Sequence, residues 1–288
     1  MSEPIMVEHM NGTGNTFLVV DAATTTWPTA AGRFAMAACD PATGVADPTS
    51  GRRGADGVLA LTIIGGSRVR MRLLQPDGST APMCGNGARV AAAWAADRLG
   101  VDRLTVDAPA GSFAAVVGES AVDIEMNAPR FDPAEIPLRS DAPLVEAPIE
   151  EHTATAVWTG VPHLVIIVDD VATVDLLQVA PPLRHHPLFP EGANVTFTAQ
   201  AGPQTFDQRT FERGVEAETE ACGTGAVAVA AVAARVGLAD GGAPMTIRPP
   251  GGPLTVRLAS EAPAHLEGAV EHTGHQAVDP AQLPEVTG

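Results

Sequence analysis

From Val69 to Ser79 the chain reads VRMRLLQPDGS, apolar and polar residues by turns until a Pro-Asp-Gly break. Such alternation marks a strand with one buried face, and the break predicts a tight turn behind it. LVIIVDD, Leu164 to Asp170, is instead a short apolar run rich in β-branched residues, the pattern of a buried strand. Further strands are predicted at HMNGTGNTFLVVD, GVLALTII, RLTVDA, AVDIEMN, QTFDQRTFE and PLTVRLA. After Cys84 and again after Cys222 the pattern turns helical, with small apolar residues at nearly every position. A helix of that kind can be buried on all sides. The Pro-rich segment Ala128 to Pro148 reads as a linker, and Glu271 to Gly288 as a tail. The expected division is therefore residues 1–128 and 129–274, with 275–288 packing back on the first domain.

The two helical stretches are related. Aligning Cys84 with Cys222 without gaps lays CGNGARVAAAWAA on CGTGAVAVAAVAA, with the cysteine, both flanking glycines and five alanines identical. Alanine-rich helices match cheaply by chance. The same register, however, also lays GAD at Gly54 to Asp56 on GAN at Gly192 to Asn194, far upstream and outside any predicted helix. The chain is thus read as a duplication: two homologous halves, each running glycine turn, strands, cysteine loop, helix.

Composition narrows the function. A chain of 288 residues that is 45 % hydrophobic can bury a substantial core. Its net charge of −17 argues against unaided binding to nucleic acid or an anionic membrane. No apolar stretch has transmembrane length, and MSEPIMVEHM lacks the features of a secretory signal, so a soluble cytoplasmic protein is expected. Three cysteines do not make a disulfide framework in a chain this long. All 17 basic residues are arginine. Without lysine the chain can neither hold pyridoxal phosphate as an internal Schiff base nor build a P-loop.

Cys-Gly-x-Gly at the start of a helix supplies a specific chemistry. The first turn presents backbone N–H groups and the positive end of the macrodipole, which favour a carboxylate. The glycines allow close approach, and the same field favours a thiolate. Two such loops could invert an amino acid at Cα, one thiolate removing the α-proton while the other thiol delivers one, with no cofactor and no metal. Taken singly, a cysteine among small residues is more often a packing group. Duplication at the same place beside the same glycines favours paired chemistry. Cys39, which follows RFAMAA without glycines, is assigned no role.

The chain resembles the diaminopimelate epimerase family of cofactor-independent, two-cysteine isomerases in NGTGNTFLVVD, GADGVL, QPDGSTAPMCGNGAR, TGVPHLV, EGANVTF, FERGVEAETEACGTGA and LEGAVEH, in that order. The resemblance implies an α/β fold of the α+β type: two homologous, pseudo-twofold-related domains, each a curved mixed sheet wrapped around a central helix. It implies conversion of LL- to meso-diaminopimelate, for lysine and peptidoglycan synthesis, with Cys84 and Cys222 as the acid/base pair. Gly85, Asn86, Gly223 and Thr224 would hold the α-carboxylate, and Asn15 belongs to the substrate pocket. His163 and Glu212 would set the charge of the thiols or hold the α-amino group. Asn194 and Arg213 would grip the distal head. The expected partners are a small amino-acid substrate and, as assembly, a homodimer, without nucleic acid or membrane.

The departures from the family pattern fall mainly at the distal end. Gln75, counted among the substrate-binding positions, stands where asparagine is common, as does Val161; Gly57 stands where glutamine is common. Loss of amide donors there bears on which amino acid is accepted, so a related racemase of histidine or ornithine is the runner-up. Glu220, two residues before Cys222, would raise the thiol's pKa if it faced inward. A third reading makes the two cysteines a redox pair or a metal clamp. Against it, each is solitary, with no C-x-x-C, and the adjacent His185 and His186 make a poor ligand pair.

Overall fold

The computed structural model describes residues 3–25, 31–260 and 262–284, and the chain divides into two compact units: Met1–Ile124 with Gly268–Gly288, and Glu125–Glu267. Residues 285–288 of the predicted tail lie outside the described residues.

The first unit opens with an antiparallel hairpin, β1 (Ile5–Gly12) and β2 (Asn15–Asp21). The sequence pattern ran HMNGTGNTFLVVD together as one strand. The chain instead reverses at Thr13 and Gly14, both at positive φ (54° and 85°), where the side chain of Asn11 accepts from the Gly14 N–H at 2.9 Å. Helix α1 (Ala31–Cys39) leads to β3 (Gly57–Ile63), parallel to β2, and β4 (Arg68–Leu74) returns antiparallel. After the short β5 (Thr80–Ala81) comes α2 (Gly85–Leu99), then β6 (Arg103–Ala108) parallel to β4, with β7 (Gly111–Val117) and β8 (Val122–Met126) folding back in turn. The strands wrap α2, which packs on β1, β3, β4, β6 and β7. Its residues Gly85 to Ala92 and Trp94 to Ala96 are buried, so a helix with no polar face is stable here. The opposite face carries α1 over Leu18, Val20, Val58 and Leu74.

The second unit repeats this order. After β9 (Ala147–Ile149), β10 (His152–Trp158) and β11 (Pro162–Ile167) form the antiparallel pair, α3 (Leu176–Arg184) leads to β12 (Asn194–Gly202), parallel to β11, and β13 (Thr205–Glu212) returns antiparallel. Then come the short β14 (Ala217–Glu218), α4 (Gly223–Arg235), β15 (Met245–Arg248) parallel to β13, β16 (Leu254–Arg257) and β17 (Ala264–Gly268). Helix α4 packs on β10, β11, β12, β13, β15 and β16. The other face of this sheet holds Leu176, Ala180 and Leu183 of α3 together with Ile136, Leu138 and Leu144, so the Pro-rich segment read as a linker contributes core side chains.

The repeated glycine turn has a physical cause. Gly54 and Gly192 precede the two parallel strands β3 and β12 and lie at φ 76° and 72°, the left-handed region that glycine enters without penalty. A Cβ at Gly54 would stand 2.5 Å from the Cys39 carbonyl oxygen, and one at Gly192 would stand 1.7 Å from Nη1 of Arg184. Finally β18 (Val270–Val278), all but its first residue in the stretch read as a tail, runs antiparallel along the whole of β1 in the first unit. Among the described residues no helix is long and apolar enough to cross a membrane.

Candidate active site

In the first unit the short β5 delivers Cys84 to the N-cap of α2 in an extended conformation (φ −146°, ψ 116°). Its sulfur accepts from the Gly87 N–H at 3.4 Å, which aims it across the first turn of the helix. Asn86, one residue into that turn and buried, donates through Nδ2 to Oδ1 of Asn15 at 2.5 Å. The β1–β2 turn therefore packs on the cysteine loop, and two predicted site residues meet there. Gln75 lies apart in the turn after β4, where its amide donates to the Ser79 hydroxyl at 2.7 Å. Cys39 is buried on α1, and burial and the charge of Asp56 push its thiol up to about 12. Such a thiol is inert.

In the second unit Cys222 holds the N-cap position of α4 with a similarly extended backbone (φ −107°, ψ 106°), but its side chain makes no cap hydrogen bond and it is buried. Burial comes first, and the charge of Glu212 second, in pushing its thiol well above the usual range; Glu212 also accepts a hydrogen bond from it, while the Thr224 hydroxyl at 3.5 Å works the other way. Cys222 is a protonated thiol beside a carboxylate. Glu212 is the last residue of β13 and is held by the Thr219 hydroxyl, which donates to Oε1 at 2.5 Å. Glu220 is exposed, and the carboxylate that acts on Cys222 is Glu212 instead.

His163 is fully buried on β11, in register with Asn194 at the start of β12. Burial, then the charge of Arg213, lowers its pKa to about 3, so the ring is neutral. The tautomer follows from its neighbours. Asn194 accepts the Arg213 backbone N–H through Oδ1 at 2.7 Å, which leaves Nδ2 to donate to Nε2 of His163 at 3.3 Å. Nε2 is then an acceptor, with the Thr224 hydroxyl a further neighbour at 3.0 Å, and Nδ1–H donates to Thr196 at 3.4 Å. Thr196 continues to Thr210 at 3.1 Å, and Thr210 accepts from the amide of Gln208 at 2.9 Å. Gln208 also donates to the Cys222 carbonyl at 3.3 Å. A buried polar chain thus fixes both sides of the Cys222 loop. The Arg213 guanidinium donates to the Glu191 carbonyl at 3.2 Å.

The structure thereby gathers Asn15, Cys84, Gly85 and Asn86 in the first unit, and His163, Asn194, Glu212, Arg213, Cys222, Gly223 and Thr224 in the second. It adds residues that sequence reasoning passed over: Thr196, Gln208 and Thr210 behind Cys222, and Arg89, fully buried behind Cys84. The signal for Arg89 was available, since its charge stands among small apolar residues well before the charged last turn of the helix at Asp97 and Arg98. His185 and His186 turn to different carboxylates, Glu216 and Glu150, so they do not converge. Among the described residues no cluster of three or more His, Cys, Asp or Glu could hold a metal ion.

Residues 7–131 and 155–274 match the family model described as diaminopimelate epimerase. A diaminopimelate epimerase of Methanothrix thermoacetophila is 43 % identical over 221 residues, 75 % of this chain and 77 % of that one. One of Methanocella arvoryzae is 38 % identical over 270 residues, 91 % of this chain and 92 % of that one. Among solved structures, a PhzF-family phenazine biosynthesis protein of Bacillus anthracis superposes with a TM-score of 0.68 at 16 % identity, over 96 % of this chain and 99 % of that one. A hydroxyproline epimerase of Agrobacterium vitis superposes with a TM-score of 0.63 at 17 % identity, over 99 % and 95 %. Those two likenesses concern the fold alone. With a family model matching most of its length and relatives this similar over three quarters or more of theirs, the chain belongs to the diaminopimelate epimerase family.

Proposed function

We propose that the chain inverts one α-carbon of LL-diaminopimelate to give the meso form, using Cys84 and Cys222 as a thiolate and thiol pair and no pyridoxal phosphate. The observation that carries this reading is the repetition of a cysteine at the N-cap of a buried central helix in both units. Each helix start offers N–H groups and a positive dipole end to the substrate carboxylate, through Gly85, Asn86, Gly223 and Thr224. One sulfur takes the α-proton as the other gives one to the opposite face, and the carboxylate gains enolate character between these steps. Glu212 and the neutral His163 flank the second thiol from β13 and β11. Asn15, Asn194 and Arg213 are the groups read as holding the rest of the substrate, with Gln75 the weakest of the set because Ser79 occupies its amide. The enzyme works as a cytoplasmic homodimer in lysine and peptidoglycan biosynthesis.

The test is incubation of the reduced protein with LL-diaminopimelate in heavy water without added cofactor, following deuterium at Cα and the LL to meso ratio. Uptake coupled to epimerisation supports the reading. A second reading, racemisation of a different amino acid, is favoured by Val161 and the engaged Gln75 at the distal positions. It gains if folded, reduced protein leaves diaminopimelate unlabelled but labels histidine or ornithine.

A further inference from the structure

The two cysteine loops are near copies, yet the charges beside them are opposite. In the register that lays Cys84 on Cys222, Arg89 of α2 falls on Val227 of α4, and Leu74 at the end of β4 falls on Glu212 at the end of β13. Cys84 has a cation where its counterpart has an aliphatic side chain. Cys222 has a carboxylate where its counterpart has leucine.

Arg89 is 0 % exposed. Helical side chains lean back toward the N-terminus, and this one does: Nη2 donates to the Thr13 hydroxyl at 2.7 Å, in the β1–β2 turn. That turn lies against the first turn of α2, where a Cβ on Gly12 would come within 3.0 Å of the Asn86 carbonyl oxygen. The guanidinium is therefore held at the start of the helix that Cys84 caps. Its Nε and Nη1 have no hydrogen-bond partner. Burial lowers its pKa to about 10, and among the described residues the charge that opposes this is that of Cys84.

A buried guanidinium with two unfilled donors is costly unless an anion lies close by. A Cys84 thiolate is that anion, and the attraction is mutual: the thiolate that stabilises the cation is stabilised by it. The other loop presents the reverse. Cys222 faces Glu212 from β13, which disfavours loss of its proton, and His163 of β11, reached through the Thr224 hydroxyl, is neutral.

We propose that Arg89 is the positioning residue that holds Cys84 as the thiolate at rest, so that Cys84 is the base and Cys222 the acid when the free enzyme meets its substrate. This rests on the two-thiol reading above. In the turnover so loaded, Cys84 gains the α-proton and Cys222 gives its own to the opposite face. The resting state returns when Cys84 loses a proton to solvent and Cys222 takes one up.

The test reads the thiols directly. Reduced full-length protein is alkylated with iodoacetamide across a range of pH, each cysteine is quantified by peptide mass spectrometry, and thiolate absorbance is followed in parallel. Cys84 is expected to be half-reactive at least about one pH unit below the free-thiol value of about 8.5, and Cys222 above it. Arg89→Met is expected to raise the Cys84 midpoint by about one unit or more and leave Cys222 unmoved, and Arg89→Lys to restore most of the shift. A merely structural role would move both cysteines or neither. The proposal is overturned if wild-type Cys84 titrates at or above the free-thiol value, or if its midpoint is unchanged in folded Arg89→Met. Should the Met variant not fold, the wild-type titration and Thr13→Val decide it, the latter expected to shift Cys84 upward by a smaller amount and overturning the proposal if it does not. No substrate is used, so a wrong substrate assignment leaves this result standing.

Discussion

Gly87 and Gly225 occupy the same place in the two CGxG loops, three residues after each cysteine, and the sequence offers no reason to distinguish them. The structure does. A Cβ at Gly87 would meet Cδ2 of Leu59 at 3.2 Å and the Cys84 sulfur at 3.6 Å. The first is the end of a flexible side chain and the second an ordinary contact. Helical Ala is favoured over Gly by about 0.5–1 kcal/mol, so Gly87→Ala should be close to neutral in stability. At Gly225 the new Cβ would lie 2.6 Å from Nε2 of Gln208 and 3.2 Å from the Cys222 sulfur. Gln208 is buried and bonded to Thr210 and to the Cys222 carbonyl, so it cannot withdraw without losing those bonds. Overpacking of about 1–3 kcal/mol and hydrogen bonds worth about 1 kcal/mol each outweigh the helical gain. The net is about 2–4 kcal/mol, or roughly 4–16 °C in Tm for a unit of this size. The displaced sulfur should also lower kcat by about tenfold or more, since small misplacements of reacting groups are expensive. Calorimetry and the deuterium exchange assay on both variants read these effects. Equal losses in the two variants, or a Gly225→Ala protein as stable and active as wild type, would refute the argument that Gln208 braces the Cys222 loop.

Three further outcomes are expected. His163 is held neutral with a pKa of about 3 against an ordinary 6.5, so the unfolded chain binds the extra proton between those values and this group's penalty grows as pH falls from 6.5 toward 3; urea midpoints of His163→Gln should vary less across that window than those of wild type. Gly192→Ala, which forces a Cβ into Arg184 at φ 72° and breaks its 2.8 Å contact with Glu216, should cost more than about 3 kcal/mol by denaturant titration. Cys39→Ala removes a buried, inert thiol and should lower stability by about 1 kcal/mol while leaving kcat/KM unchanged.

Much of the fold was legible because the duplication leaves marks that packing alone would not. The cysteine loops mark the two central helices, and the GAD and GAN triplets mark the left-handed turns before β3 and β12. RLTVDA matches β6 residue for residue. What escaped depends on partners distant in sequence. The β18 stretch is mostly polar or exposed along its length and reads as a tail until β1 supplies the other half of its ladder. Helix α3 carries Pro181 and Pro182, a composition that argues for a loop, and it forms because Leu176, Ala180 and Leu183 close one face of the second sheet. Ile136, Leu138 and Leu144 do the same from within a segment whose prolines suggested a linker.

The chemistry was legible in a different way. The matching loops identify the residues in common, and the mismatched positions mark where their surroundings differ. Reading identity alone placed both thiols and both helix starts but left them equivalent, with Glu220 as the neighbouring charge considered. The carboxylate that acts on Cys222 lies ten residues upstream, at the end of β13, because the β13–β14 turn folds Glu212 back toward the α4 N-terminus. Its counterpart in the first unit is Leu74, and that unit's buried charge is Arg89, of opposite sign and on the helix instead of the strand. On the two-thiol proposal such a difference is required, since two loops with identical surroundings would bind the proton equally well. The positions at which the two halves disagree are therefore the ones to mutate first, and exchanging Arg89 for the valine of the other half should make the two thiols more alike in their titration.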